Sequence, residues 1–595
     1  MCRAPTAADL LSCSQNSTGF EKPPPTEVLT YEGLDVLSNR LAHALRSTGV
    51  RKGDRVAVSL GNVLENAALT YAVFKLGAIL VPLNPSFNQH QLTAALAHLG
   101  AKTLIIGAVT DLPYKPCRGR SNLPLLESFI PDMATAAGIS SEQVPTLESV
   151  IIVDNRSWHP RVEFPLERLR ALTPLSELLS SSSSSSQNVL PDSPLSADET
   201  INIQFTSGTT SLPKAAQLSH NCILNNGRLI AARMGLELAD RVVVPPPLFH
   251  CFGCVLGYMA TATTGAAILF PSPAFDPAAS LLMAAEQDAT GLYGVATMFV
   301  AELELLESSP ALREQLKGVH PEQLPFQALR KGIAAGSSVP ESLMRRLYAT
   351  LGLHDLVICY GQTETSPVSL MTSPHDPIER RTGTVGRAMP HTAVKVVDPH
   401  DRSVILARGE RGELAASGYL VMQGYWNDAV RTREDCVAAS DSPDGRAWMY
   451  SGDEARMDGE GYVAITGRIK DLIIRGGENI HPLEVENCLL QCPGVGDVSV
   501  VGVPHARYGE VVGVFVVPHA GWVAEEKQQP ANRQQVLKKE DLKAWVREKL
   551  SSHLVPSYIW FVDDYPKTAS GKIQKYRLRD MAVSLLSESS SSSSS

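Results

Sequence analysis

The sequence predicts an α/β protein with a large N-terminal α/β domain of parallel sheets and flanking helices, followed by a small α+β C-terminal domain. A chain of 595 residues with 44% hydrophobic residues is too long for one ordinary domain and can bury more than one core. A strand–helix–strand pattern near the N-terminus requires parallel strands joined by a crossover helix. After about residue 400, buried runs give way to glycines, charges and short alternating strands, which indicates a second kind of unit.

Hydrophobic periodicity predicts the N-terminal elements in order. Residues 30–46 favour an amphipathic helix because leucines and alanines repeat on one face. A strand at 55–60, a helix at 65–76 ended by Gly77 and a strand at 78–83 form the parallel unit. Further strands are predicted at 102–106, 150–153, 201–205, 242–244 and 265–270, a helix at 297–307, and strand-to-loop transitions at 333–338 and 356–361. Such carboxyl ends of parallel strands are where open α/β sheets bind ligands.

The C-terminal unit is predicted to contain strands at 461–466, 498–503 and 511–517 and a helix at 540–550, with a loop of low hydrophobicity at 522–535. Two serine-rich segments cannot bury apolar surface. Residues 180–196 are therefore predicted to be a flexible insertion, and residues 583–595 a disordered tail.

Composition excludes several functions and locations. A net charge of −9 without a long basic run argues against nucleic acid as a partner. No apolar run of ~18 residues is present, so no transmembrane segment is predicted. Ten scattered cysteines and an N-terminus without a secretory pattern favour the cytoplasm or an organellar matrix, such as a peroxisome or mitochondrion, over secretion. The close pair Cys251 and Cys254 lacks the further ligands that a zinc site needs. The oligomeric state stays open.

The most informative stretch is a loop rich in hydroxyls that ends in a lysine. It follows a predicted strand and precedes a predicted helix near Gln217 with Ser219 as the N-cap. Hydroxyls, backbone N–H groups and a lysine can bind phosphate oxygens, although a solvent-exposed surface loop has the same composition. The stretch is not a P-loop of the Gly-x4-Gly-Lys-Ser/Thr type. Its residues are Thr206, Ser207, Gly208, Thr209, Thr210, Ser211, Leu212, Pro213 and Lys214.

Five segments in a fixed order carry a family resemblance. They are the 206–214 loop, residues 360–364 (Tyr-Gly-Gln-Thr-Glu), residues 450–453 (Tyr-Ser-Gly-Asp), residues 467–479 with their Arg-Gly-Gly-Glu-Asn, and residues 566–572 (Pro-Lys-Thr-Ala-Ser-Gly-Lys). Together they resemble the adenylate-forming (AMP-binding) superfamily over residues 28–582. The match looks closest to the medium-chain fatty acyl-CoA synthetases. This resemblance implies an N-terminal adenylation domain at 1–469 and a mobile C-terminal lid at 470–582 that rotates about a hinge at Lys470.

The resemblance also implies an activity. A carboxylic acid attacks the α-phosphate of ATP to give acyl-AMP and pyrophosphate, and the thiol of coenzyme A then forms the thioester, with Mg²⁺ as the metal ion. The partners are a small organic acid, ATP and CoA. Two alternatives stay open: loading of a carrier protein in trans, and a nucleotide-binding pseudo-enzyme. The second is motivated by Ser211 and Ala215, which stand where the family has glycine.

The resemblance assigns nucleotide roles residue by residue. The hydroxyls of the 206–214 loop and Lys214 would hold the β- and γ-phosphates, and Glu364 would bind Mg²⁺. Thr363 would reach the α-phosphate, and Asp453 would accept hydrogen bonds from the ribose with Arg468 nearby. The adenine would lie against Tyr360, Gly361, Gly336 and Ser337. Simpler readings are a core tyrosine at 360, an exposed carboxylate at 364 and a structural salt bridge between Asp453 and Arg468.

The remaining implied roles concern catalysis and the acyl and CoA sites. Lys572 would stabilise the adenylation transition state, whereas Lys567, Lys575 and Arg577 are predicted to be solvated surface charges. Gly476 and Gly477 would approach the pantetheine arm of CoA. His250 would gate the acyl site, although a satisfied core histidine is an equal alternative. The acyl pocket is expected to be lined by residues 249–258, 293–299, 336–339 and 365–368.

Overall fold

The computed structural model describes residues 2–5, 26–115, 118–181, 187–206, 214–319, 325–335, 339, 341–438, 445–519, 521–526, 535–567 and 573–592. Within this part of the chain, two large sheets make up the N-terminal half. A five-stranded sheet follows them, and a second five-stranded sheet lies in the C-terminal unit.

The nine-stranded sheet is parallel in its middle, and antiparallel strands lie at both edges. In spatial order its strands are Arg387–Ala388, Val368–Met371, Asp355–Gly361, Lys331–Ala335, Gly291–Gly294, Arg241–Val243, Ala267–Leu269, Cys2–Pro5 and Thr26–Leu29. The parallel strands, paired from residue 241 to residue 359, are nearly continuous apolar runs because both faces of the sheet are covered.

The eight-stranded sheet has parallel strands at one end and an antiparallel hairpin at the other. Its strands in spatial order are Gly424–Tyr425, Lys214–Ser219, Thr200–Thr206, Ile79–Pro82, Arg55–Ser59, Thr103–Gly107, Ser149–Val153 and Thr173–Pro174. Successive residues alternate between the two faces: Ile105 joins the core shared with the nine-stranded sheet, whereas Leu104 and Ile106 join the core on the outer face. One central core therefore fixes the two sheets against each other.

The remaining sheets are more antiparallel. The first five-stranded sheet contains Thr392–Val397, Arg411–Gly418, Trp448–Met457, Cys436–Val437 and Val463–Arg468. The C-terminal one contains Glu478–Ile480, Ile473–Arg475, Gly509–Pro518, Val495–His505 and Tyr558–Phe561. Two short pairs add Val109–Asp111 with Gly119–Ser121, and Trp522–Ala524 with Gln535–Leu537.

Helices cover the faces of the sheets. They span Tyr31–Ser47, Leu64–Leu76, Gln89–Leu99, Leu123–Glu127, Leu175–Ser181, His220–Met234, Phe252–Met259 (a π-helix), Ala260–Thr264, Pro277–Glu286, Ala296–Ser308, Pro310–Val319, Glu341–Leu351, Ile378–Gly383, Ala429–Asp435, Pro482–Leu489, Lys539–Lys549 and Lys575–Ser592. Single 3-10 turns lie at Arg156–Trp158, Leu166–Arg168, Thr363–Thr365, Ile469–Asp471 and Ser552–Leu554. Among the described residues, none of these helices combines the length and the apolar character needed to cross a membrane.

The elements predicted from periodicity agree closely with this architecture, and one expectation about the 206–214 loop is wrong. Ser219 caps the next helix by accepting a hydrogen bond from the Cys222 N–H at 3.2 Å, as predicted. The loop does not run directly into that helix, however. Lys214–Ser219 is a strand, since it pairs with Thr200–Thr206 on one side and with Gly424–Tyr425 on the other. The loop therefore closes a β-hairpin.

Two serine-rich segments also differ from expectation where the structure describes them. Residues 187–196 contact the helix Tyr31–Ser47 and the turn after it: Val189 is buried, and the Lys52 ammonium donates to the Pro194 carbonyl at 2.8 Å. At the C-terminus, Lys575–Ser592 is helical through most of the segment expected to be disordered. Leu578, Ala582 and Leu586, four residues apart, pack on the C-terminal sheet and explain why the helix continues. Residues 182–186 and 593–595 lie outside the described part.

Candidate active site

The candidate site lies where strand ends of the nine-stranded, eight-stranded and first five-stranded sheets meet. The strand Asp355–Gly361 ends at Gly361, and the 3-10 turn Thr363–Thr365 follows it. A side chain at Gly361 would place its Cβ 1.8 Å from the Pro367 carbonyl oxygen, so only glycine fits this close backbone approach. The segment 360–364 is therefore held against a neighbouring strand by its glycine.

Tyr360, Asp453 and Arg468 converge at this strand end. The Tyr360 hydroxyl donates to Asp453 Oδ2 at 2.6 Å. Asp453 and Arg468 are cross-strand partners in the first five-stranded sheet, and Arg468 Nε lies 3.3 Å from Asp453 Oδ1. Burial, together with the neighbouring Asp453 carboxylate, raises the pKa of Tyr360, so the phenol stays protonated and can donate. The predicted adenine and ribose residues thus form one cluster, with Arg468 more than half exposed and Asp453 only 14% exposed.

Glu364 is buried next to a second tyrosine. Its side chain is 8% exposed, and the Tyr425 hydroxyl lies 2.8 Å from Glu364 Oε1. Burial raises the pKa of Glu364 because the charged form loses its hydration. The simpler reading of an exposed loop carboxylate is therefore wrong.

Lys214 is paired with an acidic residue that the sequence reasoning missed. Its Nζ lies 2.6 Å from Asp435 Oδ2 and 4.8 Å above the centre of the Tyr425 ring. Tyr425 OH is also 2.9 Å from the same Asp435 oxygen, so the tyrosine connects Asp435 to Glu364. The pairing of Gly424–Tyr425 with Lys214–Ser219 brings these residues together. The sequence around Tyr425 carries no motif that indicates its contacts with Asp435 and Glu364.

Thr363 and His250 both contact a buried cysteine, Cys251. Cys251 Sγ is 3.7 Å from Thr363 Oγ1 and 3.7 Å from His250 Nδ1. The Phe252 N–H donates to His250 Nδ1 at 3.2 Å, which orients the ring at the start of the π-helix Phe252–Met259. The predicted gating and α-phosphate residues are therefore neighbours. Cys254, the other cysteine of the pair, accepts from Gln204 Nε2 at 2.8 Å, and burial raises its pKa.

Gly476 and Gly477 form the turn of the hairpin between Ile473–Arg475 and Glu478–Ile480. Their φ angles are +59° and +93°, which is the left-handed region that a two-residue hairpin turn requires at both positions. The Gly476 N–H donates to the Tyr508 carbonyl at 2.7 Å. Apart from its chain neighbours, no described residue has an atom within 4 Å of the position that a Cβ at Gly477 would take, so the turn is open to that part of the chain.

Two lysines that were predicted to be solvated, Lys567 at the start of the 566–572 segment and Lys575 after its end, form ion pairs. Lys567 pairs with Ile573 through an isolated β-bridge, and Lys567 Nζ lies 2.6 Å from Asp564. Lys575 Nζ lies 2.7 Å from Glu486, whose carboxylate also accepts from the Val500 N–H at 2.8 Å. Lys575 is therefore not the solvated surface charge predicted, because its partner Glu486 is only 12% exposed, whereas Lys567 pairs at the surface with a carboxylate that is 71% exposed. The Glu486–Lys575 pair ties the residues that follow the segment to the rest of the C-terminal unit.

Lys470 lies in the turn Ile469–Asp471, between the first five-stranded sheet and the C-terminal sheet. Its carbonyl accepts from Arg579 Nη2 at 3.4 Å, and Arg579 also pairs with Asp471 at 3.1 Å. The turn is therefore tied to the last helix of the chain.

Several predicted site residues lie outside the described residues: Ser207, Gly208, Thr209, Thr210, Ser211, Gly336, Ser337 and Lys572. Thr206 is described, and it ends the strand opposite Lys214. Within the described part of the chain, no group of three or more His, Cys, Asp or Glu side chains is placed to hold a metal ion. The chemistry of Glu364 nevertheless fits a hard cation, because a buried carboxylate with a raised pKa gains most from an adjacent positive charge.

Comparison with known proteins identifies the family. The model for AMP-binding enzymes matches residues 18–426, and the model for the C-terminal domain of AMP-binding enzymes matches residues 484–572. The chain belongs to the AMP-binding enzyme family. The resemblance and the fold inferred from the motifs are thereby confirmed.

Relatives of this AMP-binding enzyme include acyl-CoA ligases. A putative acyl-CoA synthetase of Bacillus subtilis is 38% identical over 566 residues, covering 94% of this chain and 93% of the relative. A mitochondrial medium-chain acyl-CoA ligase of Danio rerio is 36% identical over 547 residues, covering 91% and 82%. The crystal structure of ATP-bound MatB from Rhodopseudomonas palustris has a TM-score of 0.74 at 24% identity, covering 96% and 98%. That structure supports the fold.

Proposed function

We propose that this AMP-binding enzyme is an acid–CoA ligase that activates a carboxylic acid with ATP and transfers the acyl group to CoA. The observation that carries the proposal is the convergence of Tyr360, Asp453 and Arg468 at one strand end beside Glu364, in a chain whose relatives are acyl-CoA ligases. Each of these side chains has the chemistry that its part of ATP requires.

The nucleoside would bind at the Tyr360–Asp453 cluster. The Tyr360 ring supplies an apolar face for adenine, and the Asp453 carboxylate can accept from two neighbouring hydroxyls of the ribose. The bond from Tyr360 to Asp453 holds both groups in place before ATP arrives. Arg468, more than half exposed, can reach the sugar or a phosphate from the solvent side.

The triphosphate brings several negative charges toward a carboxylate substrate, so catalysis requires cations. Lys214 and the hydroxyls of the 206–214 loop would hold the leaving pyrophosphate, and Thr363 would contact the α-phosphate. Mg²⁺, bound by Glu364 and phosphate oxygens, would neutralise charge between the phosphates. Lys572 would stabilise the charge that develops as the acid attacks phosphorus.

We assign residues 1–469 to the adenylation domain and residues 470–582 to the lid, with the hinge at Lys470. The Glu486–Lys575 pair supports this assignment, because it ties Lys575, which closely follows Lys572 in the sequence, to the C-terminal unit. A rotation at Lys470 would withdraw Lys572 and bring the Gly476–Gly477 turn to the acyl-adenylate. The open side of that turn leaves room for the pantetheine arm.

The acid is proposed to be apolar and of medium chain length. The segments expected to line the pocket carry buried aromatic and aliphatic side chains: Phe252, Tyr258, Tyr293 and Met298 lie in the central core, and Phe299 lies in a separate one. The relative of Danio rerio named as a medium-chain acyl-CoA ligase supports this class, and its mitochondrial name supports an organellar matrix as one of the two compartments proposed, the other being the cytoplasm. His250 would close the acyl site.

The test is a panel of C4–C12 and aromatic acids with ATP, MgCl₂ and CoA, in which pyrophosphate is quantified and thioesters are detected by mass. We expect acid-dependent pyrophosphate release and an acyl-CoA for at least one medium-chain acid. Release of pyrophosphate without any thioester would favour loading of a carrier protein instead. No release with any acid would favour a pseudo-enzyme and contradict the proposal.

A further inference from the structure

The lysine at the end of the phosphate loop has a resident counter-ion. Lys214 Nζ lies 2.6 Å from Asp435 Oδ2, and the two side chains are about equally accessible, at 25% and 27% exposed. This contact occupies one of the three N–H donors of the ammonium group and places a negative charge directly against it. Any phosphate that binds Lys214 must therefore share the ammonium with Asp435 or displace the carboxylate.

The surrounding elements hold Asp435 in this position. It is the last residue of the helix Ala429–Asp435, whose first turn is capped by Asp428 accepting from the Arg431 N–H at 3.0 Å. Tyr425, which is buried, lies 2.9 Å from Asp435 Oδ2 through its hydroxyl and so fixes the carboxylate from a second side. Asp435 is therefore placed by packing as well as by the attraction of Lys214.

We propose that Asp435 is a positioning residue that competes with pyrophosphate for Lys214, holding the lysine before ATP binds and reclaiming it when pyrophosphate leaves. This inference rests on the proposed function, in which Lys214 binds the leaving phosphates. It adds a residue that none of the sequence motifs contains.

The distance between Asp435 and a phosphate bound to Lys214 determines how strongly Asp435 weakens phosphate binding. An ammonium group that contacts a phosphate oxygen and Asp435 together holds the two anions within about 6 Å of each other, since each contact is about 3 Å long. At that separation, in a partly exposed site, the repulsion weakens phosphate binding by about threefold to tenfold per unit of charge. Asp435→Asn keeps an oxygen acceptor for Lys214 and Tyr425 but removes this repulsion.

The experiment measures the dissociation constant of Mg²⁺-pyrophosphate by calorimetry, together with its inhibition constant and the KM for ATP. We expect Asp435→Asn to bind pyrophosphate at least about threefold more tightly, to show stronger product inhibition and to leave the KM for the acid unchanged. Asp428→Asn is the matched control, because it makes the same substitution at the other end of the helix and can still cap it. It should leave pyrophosphate affinity unchanged.

A second pair of variants tests whether the effect passes through the lysine. In a Lys214→Met background, Asp435→Asn should no longer tighten pyrophosphate binding. An equal gain with and without Lys214 would overturn the proposal, as would unchanged or weaker affinity in Asp435→Asn while the wild type is active. Wild-type protein that binds neither ATP nor pyrophosphate would instead overturn the proposed function, and this inference with it.

Discussion

The substitution Asp453→Ala tests whether Asp453 binds the nucleotide or only anchors neighbouring side chains, because the two roles predict different losses of activity. Its carboxylate accepts a hydrogen bond from the Tyr360 hydroxyl at 2.6 Å and lies 3.3 Å from Arg468 Nε. If Asp453 only anchored Arg468, its loss would matter little, because an ion pair with an arginine that is more than half exposed contributes at most about 1 kcal/mol. The effect on kcat/KM for ATP would then stay below about fivefold.

A ribose-binding role predicts a much larger loss. A hydrogen bond to a charged acceptor contributes about 1.5–3 kcal/mol, and the carboxylate would accept at least one such bond from the ribose. Asp453→Ala should therefore lower kcat/KM for ATP by at least about 12-fold, mostly through KM, while the KM for the acid changes little. The assay is acid-dependent pyrophosphate release at varied ATP concentration.

Two variants control for indirect effects on the site. Tyr360→Phe removes the hydroxyl that donates to Asp453 but keeps the ring, so it should cost far less than Asp453→Ala. Arg468→Met removes the exposed cation alone. Equal losses below about fivefold in Asp453→Ala and Arg468→Met, with unchanged melting temperatures, would refute the ribose-binding role.

Three further predictions concern the C-terminal unit. Glu486→Gln should slow acyl-AMP formation about fivefold or more, because it loosens the Lys575 anchor of the 566–572 segment, and should spare thioester formation from supplied acyl-AMP. Gly477→Ala, at φ +93°, should cost about 1–2 kcal/mol of local strain and should slow the thioester step selectively. Burial raises the pKa of Asp497 to about 6, so this carboxyl should destabilise the fold increasingly as pH rises from about 4 through 6. Asp497→Asn should therefore raise the free energy of unfolding by about 3 kcal/mol at pH 7 and not at pH 4.

Each of these three predictions has a control variant or a control measurement. Asp564→Asn breaks a pair whose carboxylate is 71% exposed, so adenylation should stay within about twofold of the wild type. Gly521 has φ +90° and equally open surroundings, so Gly521→Ala imposes similar strain and should not affect the thioester step. For Asp497, melting temperatures from pH 4 to pH 8 should diverge between wild type and variant as pH rises, and parallel curves would contradict the assignment.

Much of the fold follows from patterns that the sequence displays directly. Parallel strands buried on both faces appear as apolar runs, and Ser219 signals the helix that it caps. The strand Lys214–Ser219 is not visible in this way, because its identity depends on pairing with residues 424–425, far along the chain. The extension of the last helix depends in the same way on contacts of Leu578 and Ala582 with the C-terminal sheet.

The residues of the candidate site also divide into those that the sequence indicates and those that only the structure reveals. The short motifs name Tyr360, Asp453 and Arg468, which the structure brings together, and Glu364, which follows the strand that carries Tyr360. Partners that belong to no motif were missed: Asp435 and Tyr425 reach Lys214 and Glu364 only through sheet pairing and the helix Ala429–Asp435. Motifs identify groups that contact a ligand, whereas the residues that hold those groups are set by tertiary packing.

We propose that this chain performs its two half reactions with different parts of its C-terminal unit. The most direct measurement compares wild type and Lys572→Ala in two assays: pyrophosphate release from ATP and a medium-chain acid, and thioester formation from chemically supplied acyl-AMP and CoA. We predict that Lys572→Ala lowers the first rate by at least about 100-fold, as expected for loss of a transition-state cation, and leaves the second within about threefold. An equal loss in both assays would contradict the assignment of Lys572 to adenylation alone.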